Sequence, residues 1–312
     1  MPPSLLALVF LIVGAGSPQA PSQAPDLALL IGDLPAAAHR DDMMAAVSLS
    51  QHLASAPIEQ VQADLPALMA LTESTEGPVR SLAVLSLTGL EGIRESKPTP
   101  IDTERLSLLT PYLPRLAPRL LDPTTAPTAL ILFDALALIR PVPDQLTRIL
   151  IQTLDAPGST QPIKRASGDM IPAFGIVRAV VDVGATFHSN PVTHIAEGTD
   201  SPEVRTAILR FLHRPDQTPR SLVETIRCLA HAQPQNPEVN ANLLRFLDSA
   251  DPAIRMELVH ALPSLTLPPA DFTAAKEKLA RIAADSSTPS ELTVAANSIL
   301  PCWTNDRHHP CP

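Results

Sequence analysis

Aromatic side chains are nearly absent from this sequence: one Trp, one Tyr and seven Phe. An enzyme that extrudes a nucleobase holds it between such rings, and this chain has too few of them. Basic residues are also in deficit, with Lys+Arg 23 against Asp+Glu 32 and a formal net charge of −9. That is the wrong sign for a general binder of nucleic acid, whose affinity comes from clustered Lys and Arg. Charged residues make up only 18% of the chain and hydrophobic ones 45%, which excludes global disorder. Glycine is scarce (11) where proline is abundant (35). Proline interrupts helices and central strands alike, so the elements must be short with many punctuated ends. No nucleophile elbow, phosphate loop, dinucleotide fingerprint or zinc-protease helix occurs, and no cofactor is implied. The sequence reads as that of a non-enzyme.

The first 25 residues carry no charged side chain. Within them Leu5 to Val13 form nine unbroken apolar residues, followed by Gly14-Ala15-Gly16-Ser17. This is the pattern of a secretory signal peptide over 1–20, too short to span a bilayer. The expected location is therefore exported, periplasmic or extracellular. Pro21 and Pro25, with Ser22 and Gln23, make 21–25 an extended tether. No later run is long enough for a membrane helix.

Helical spacing dominates the remainder. From Pro202 to His213 the chain reads PEVRTAILRFLH, with Val204, Ala207, Ile208, Phe211 and Leu212 on one stripe. Thirty-five positions later, Pro237 to Asp248 reads PEVNANLLRFLD, identical at seven of twelve positions. Proline at the helix start and Glu in the first turn suit both copies. The segment 219–232 is matched by 252–265, with Glu224 over Glu257, and a third helix pair follows at 272–284 and 289–300. A unit is thus two short helices of about 33–37 residues, which bury their apolar faces only against their neighbours. Further helices are expected at 27–34, 41–55, 57–73, 77–91, 102–121, 125–140 and 142–155. By its match to Phe211, Phe246 is expected in the core; Cys228, aligned with Ala261, reads as a small core residue.

Glu76-Gly77-Pro78-Val79-Arg80, Asp200-Ser201-Pro202-Glu203-Val204-Arg205 and Asp251-Pro252-Ala253-Ile254-Arg255 resemble the opening of the second helix in HEAT or armadillo-type repeats. The resemblance covers about residues 26–300. It implies an all-α solenoid of HEAT-like helix pairs wound as a right-handed superhelix, and a protein that acts by binding. In the pairing read from the repeats Pro202 opens a first helix; in the family pattern it opens a second, so the phase near 190–235 stays open. The di-iron hydroxylases built on such repeats are not matched, because the chain has no His-Glu dipeptide.

Residues 156–198 break the rhythm and hold five of the eleven glycines. The segment reads as an inserted loop with a buried helix from Met170 to about Val183, or as a binding loop in which Lys164 and Arg165 anchor an acidic group. An accessory or catalytic protein with a small-molecule or metal site there is the alternative function; His188, His194 and Glu197 supply only three metal donors. In the tail 301–312, Cys302 and Cys311 bracket eight residues. In an exported protein they are expected to form a disulfide. A metal site with His308 and His309 is the alternative. Arg210 and Arg245 occupy equivalent positions in successive units, as do Glu224 and Glu257. Such a row is either a solvated ridge of ion pairs or a binding ridge for an extended acidic partner. The expected function is a scaffold that binds an unknown protein or extended peptide, with no nucleic acid and no membrane after signal removal.

Overall fold

The computed structural model describes residues 26–91, 103–137, 139, 141–157, 159, 201–231 and 236–304, with short pieces between 163 and 197. The leader and tether lie outside the described residues. The chain forms two compact units, Met1–Arg105 and Leu106–Pro312.

In the first unit, α1 (Leu27–His39), α2 (Met43–Ser55), α3 (Ile58–Leu71) and α4 (Gly77–Leu87) pack on one another around Leu34, Leu49, Leu53, Leu68 and Leu87. Asp26 and Asp42 cap α1 and α2 through side-chain bonds to the amides of Ala28 and Met44. The helix expected over 27–34 instead runs to His39, with Pro35 inside it. Leu34, Ala37 and Ala38 are buried on either side of the proline, so packing outweighs the one backbone bond that it removes. After α4 a 3-10 turn (Thr88–Glu91) brings Gly89 against α2. A Cβ there would sit 2.0 Å from the Ser50 carbonyl oxygen, so only glycine fits. Arg105 closes the end of α2, donating to the carbonyls of Leu53 (2.9 Å) and Ala56 (2.6 Å).

The second unit opens on a fragmented stretch. After α5 (Thr103–Ser107) come a 3-10 turn (Thr110–Tyr112), α6 (Leu113–Leu116) and another 3-10 turn (Ala117–Leu120). The single helix expected over 102–121 is cut by Pro111, Pro114 and Pro118, each lacking an amide donor. Its apolar stripe survives: Leu106, Leu109, Leu113, Leu116 and Leu120 are all buried. This stretch packs on α7 (Ala126–Leu136) and α8 (Asp144–Asp155).

Between 156 and 198 the structure corrects the expectation of one buried helix beginning at Met170. Ile163–Lys164 pairs antiparallel with Met170–Ile171, and Thr186–Phe187 with Ala196–Glu197. Only Val177, Ala179 and Val180 are described there as helical, and all three are buried.

From α8 onward the helices form two stacked rows. The first row is α8, α9 (Pro202–Leu212), α11 (Pro237–Leu243, extended as a 3-10 turn, Leu244–Asp248) and α13 (Pro269–Ala284). The second is α10 (Pro219–His231), α12 (Pro252–Ala261) and α14 (Ser290–Ile299). Each helix touches its successor in the row, and the rows touch each other through α10 with α11 and α13 with α14. This is the architecture of an all-α solenoid. It also settles the phase, since Pro202 opens a first-row helix. The cap-proline motif misled because it is helix-start chemistry common to both rows. Ser201 and Asn236 cap the first-row α9 and α11, and Asp251 caps the second-row α12, each standing just before the proline and accepting N–H bonds from residues just after it.

The last described residues close the stack. Trp303 is 1% exposed and meets Phe272 edge-on, with ring centroids 4.8 Å apart and planes at 69°. Its position in an expected tail gave no sign of this.

Candidate functional site

The ends of the first-row helices carry one repeated device. Aligned at its last seven residues, α8 reads ILIQTLD, α9 with its cap AILRFLH, and α11 with its 3-10 turn NLLRFLD. The final position is Asp155, His213 or Asp248. Each receives a cationic side chain from the next first-row helix: Arg210 on Asp155, Arg245 on His213, and Lys278 on Asp248. Arg205 and Glu238 add a further pair between α9 and α11 at 3.2 Å. Exposed pairs of this sort contribute roughly 0.2–1 kcal/mol each, too little to drive folding.

This places two of the expected site residues. Arg210 is exposed and shares its charge with Asp155. Arg245 is half-buried: it donates to the Leu212 carbonyl and the His213 ring, and its guanidinium lies 4.6 Å from the centre of the Phe246 ring. The two are equivalent in sequence and in role, each engaged across a joint between repeats. Phe246, expected in the core, is instead half-buried beneath Arg245, and Cys228 is half-buried and outside any disulfide.

Beside the first joint lies an open cleft of about 590 Å³, lined by Asp155, Pro157, Arg210, His213, Arg214, Pro215 and Asp216. Arg214 shapes it. Its Nη1 donates to the carbonyls of Leu154 (2.8 Å) and Ala156 (3.1 Å) and to Ser159 Oγ (2.8 Å). Its Nε and Nη2 form a fork on Asp216, at 2.9 and 2.6 Å. Sequence reasoning missed Arg214 because the repeat alignment places Ser249 opposite it.

In the second row, Arg227 spans Glu257 (2.6 and 3.0 Å) and Glu224 (3.4 Å), joining the two aligned glutamates. The hydrogen bond to Glu257 raises the guanidinium above its ordinary value, against desolvation and with help from both carboxylate charges. Arg245 goes the other way: burial lowers it, with no anion to compensate.

The side chain of Lys164 and all of Arg165, His188, His194, His308, His309 and Cys311 lie outside the described residues, as does the Cys302–Cys311 pairing. Among the described residues no group of three His, Cys, Asp or Glu side chains converges as a metal site would require, and no helix is long and apolar enough to cross a membrane.

No family model matches the chain, and no curated protein matches it. Among solved structures it is similar to an engineered protein at 18% identity and TM-score 0.41, covering 87% of this chain and 66% of that one. A computationally designed armadillo repeat protein for modular peptide recognition aligns at 14% identity and TM-score 0.39, over 87% of this chain and 97% of that one. A designed armadillo repeat protein in complex with the peptide (KR)4 aligns at 16% and 0.34, over 89% and 100%. At such scores the assignment of the fold rests on the two helix rows themselves.

Proposed function

We infer that this chain is a non-catalytic scaffold of an exported compartment, holding an extended peptide or peptide-like segment of another protein along its first-row helix ends. The observation that carries the reading is the line of charged groups of both signs at successive joints, with the open cleft beside the first. An extended chain presents side chains at regular intervals, and a rigid repeat meets them with groups at regular intervals. A solved peptide complex of a designed armadillo repeat protein shows one way such a stack is used. Export is supported by the apolar run Leu5–Val13, and export in turn supports a Cys302–Cys311 disulfide.

Fluorescence anisotropy with labelled hexapeptides, rich in Glu, rich in Lys, or built from Gly and Ser, tests the binding reading. Saturable binding of at least one charged peptide is expected; failure of all three overturns it. Intact mass of the protein from the exported fraction should show an N-terminus between Gly16 and Pro21 and, without reductant, the loss of two hydrogens.

A further inference from the structure

Of the three described joints in the first row, the middle one lacks a carboxylate. Asp155 meets Arg210 and Asp248 meets Lys278, whereas Arg245 meets His213. Arg245 is the more buried cation of the pair of equivalent arginines, yet no carboxylate among the described residues faces it. Its donors go to the Leu212 carbonyl and to His213 Nδ1. The Nη1 that meets Nδ1 also lies 3.1 Å from His213 Nε2, which in turn is 3.4 Å from Asn242 Oδ1. The lowered guanidinium of Arg245, beside the raised one of Arg227, is what a partly buried cation without its anion shows.

We propose that the His213–Arg245 joint binds one acidic side chain of a peptide partner, whose carboxylate takes the place that Asp155 and Asp248 fill in the neighbouring joints. This rests on the peptide-scaffold reading above. His213 is exposed and borders the cleft, so the incoming group reaches it from solvent. The guanidinium of Arg245 and the N–H of the His213 ring together offer donors to one carboxylate. The surrounding charges do not supply that anion. On the α9 side, Asp155 is held by Arg210 and Asp216 by Arg214; on the α11 side, Glu238 is paired with Arg205 and Asp248 with Lys278. Glu224 on α10 and Glu257 on α12, the helix packed on the turn that carries Arg245, are both held by Arg227.

The test is anisotropy of a labelled Glu hexapeptide with an amidated C-terminus on the full chain, beside a Gln hexapeptide of the same length, at about pH 7. A neutral hexapeptide with a free C-terminus separates a side-chain carboxylate from a terminal one. The wild type should bind the Glu peptide about five- to tenfold more tightly than the Gln peptide, as a charge-assisted contact implies. His213→Asp supplies the missing carboxylate internally and should abolish binding, while Arg245→Lys retains part of it. Circular dichroism confirms that the variants fold. Undiminished binding to His213→Asp, or binding of the terminal carboxylate alone, overturns the assignment of this joint and leaves the scaffold reading standing. Failure of Glu, Lys and Gly-Ser peptides alike overturns both.

Discussion

Segments 202–213 and 237–248 share seven of twelve residues and fold differently. The first is an unbroken helix that buries Val204, Ala207, Ile208, Phe211 and Leu212. The second leaves the α-helix after Leu243 and buries Val239, Asn240, Leu243, Leu244 and Leu247. The buried face has turned by one position. Two of the differing residues account for the turn. Asn242 stands where Ala207 lies in the core, and its amide has no partner there; turned outward, it bonds the Glu238 carbonyl at 3.0 Å. Asn240 stands where Arg205 reaches solvent, and its short amide can be buried because it donates to the Thr266 carbonyl at 2.9 Å. The 3-10 turn then places Leu244 and Leu247, three apart, on one face. Polar side chains thus choose which apolar residues go inside.

The comparison breaks if the two phenylalanines behave alike. Phe211→Ala should cost about 3–5 kcal/mol, as for a fully buried ring. Phe246→Ala should cost about 1 kcal/mol, mostly its contact with Arg245. Equal shifts in the denaturation midpoint would mean that the buried face does not turn. The asparagines sharpen the point at smaller scale. Asn240→Ala removes a buried hydrogen bond and should cost about 1–2 kcal/mol, whereas Asn242→Ala should be neutral or stabilising by up to about 0.5 kcal/mol, Ala being the better helix former. The smallest effect lies in the turn before α14, which has no counterpart between the twin segments. Hydrogen bonds from the Ser287 hydroxyl and amide hold the exposed Asp285 carboxyl below its ordinary value of 3.8. A lowered folded value gives stability that is present above about pH 4 and lost as pH falls through the folded value. Asp285→Ala should therefore lower the melting temperature slightly at neutral pH and leave it unchanged in strong acid.

Most of the helices were legible because spacing at 3.6 residues is a local signal. What was not legible depends on distance or on proline. Pro35 does not end α1, because residues on both sides of it are packed; Pro111, Pro114 and Pro118 do fragment their segment. The rotated face of 237–248 was hidden by sequence identity: Arg245 and Phe246 match Arg210 and Phe211 in name only. The joints were invisible because each joins residues tens of positions apart, as Asp155 and Arg210 do, and only the stacked rows bring them together. Trp303 looked like tail for the same reason, since its partner Phe272 is 31 residues away.

In the proposed reading the His213–Arg245 joint is built like its neighbours and lacks only the carboxylate. Equilibrium denaturation of His213→Asp, alone and combined with Arg245→Ala, measures this directly at pH 7. The account predicts that His213→Asp stabilises the fold by about 0.2–1 kcal/mol, as a new exposed ion pair should, and that Arg245→Ala erases the gain. A His213→Asp variant less stable than the wild type, or a gain that survives without Arg245, would contradict it.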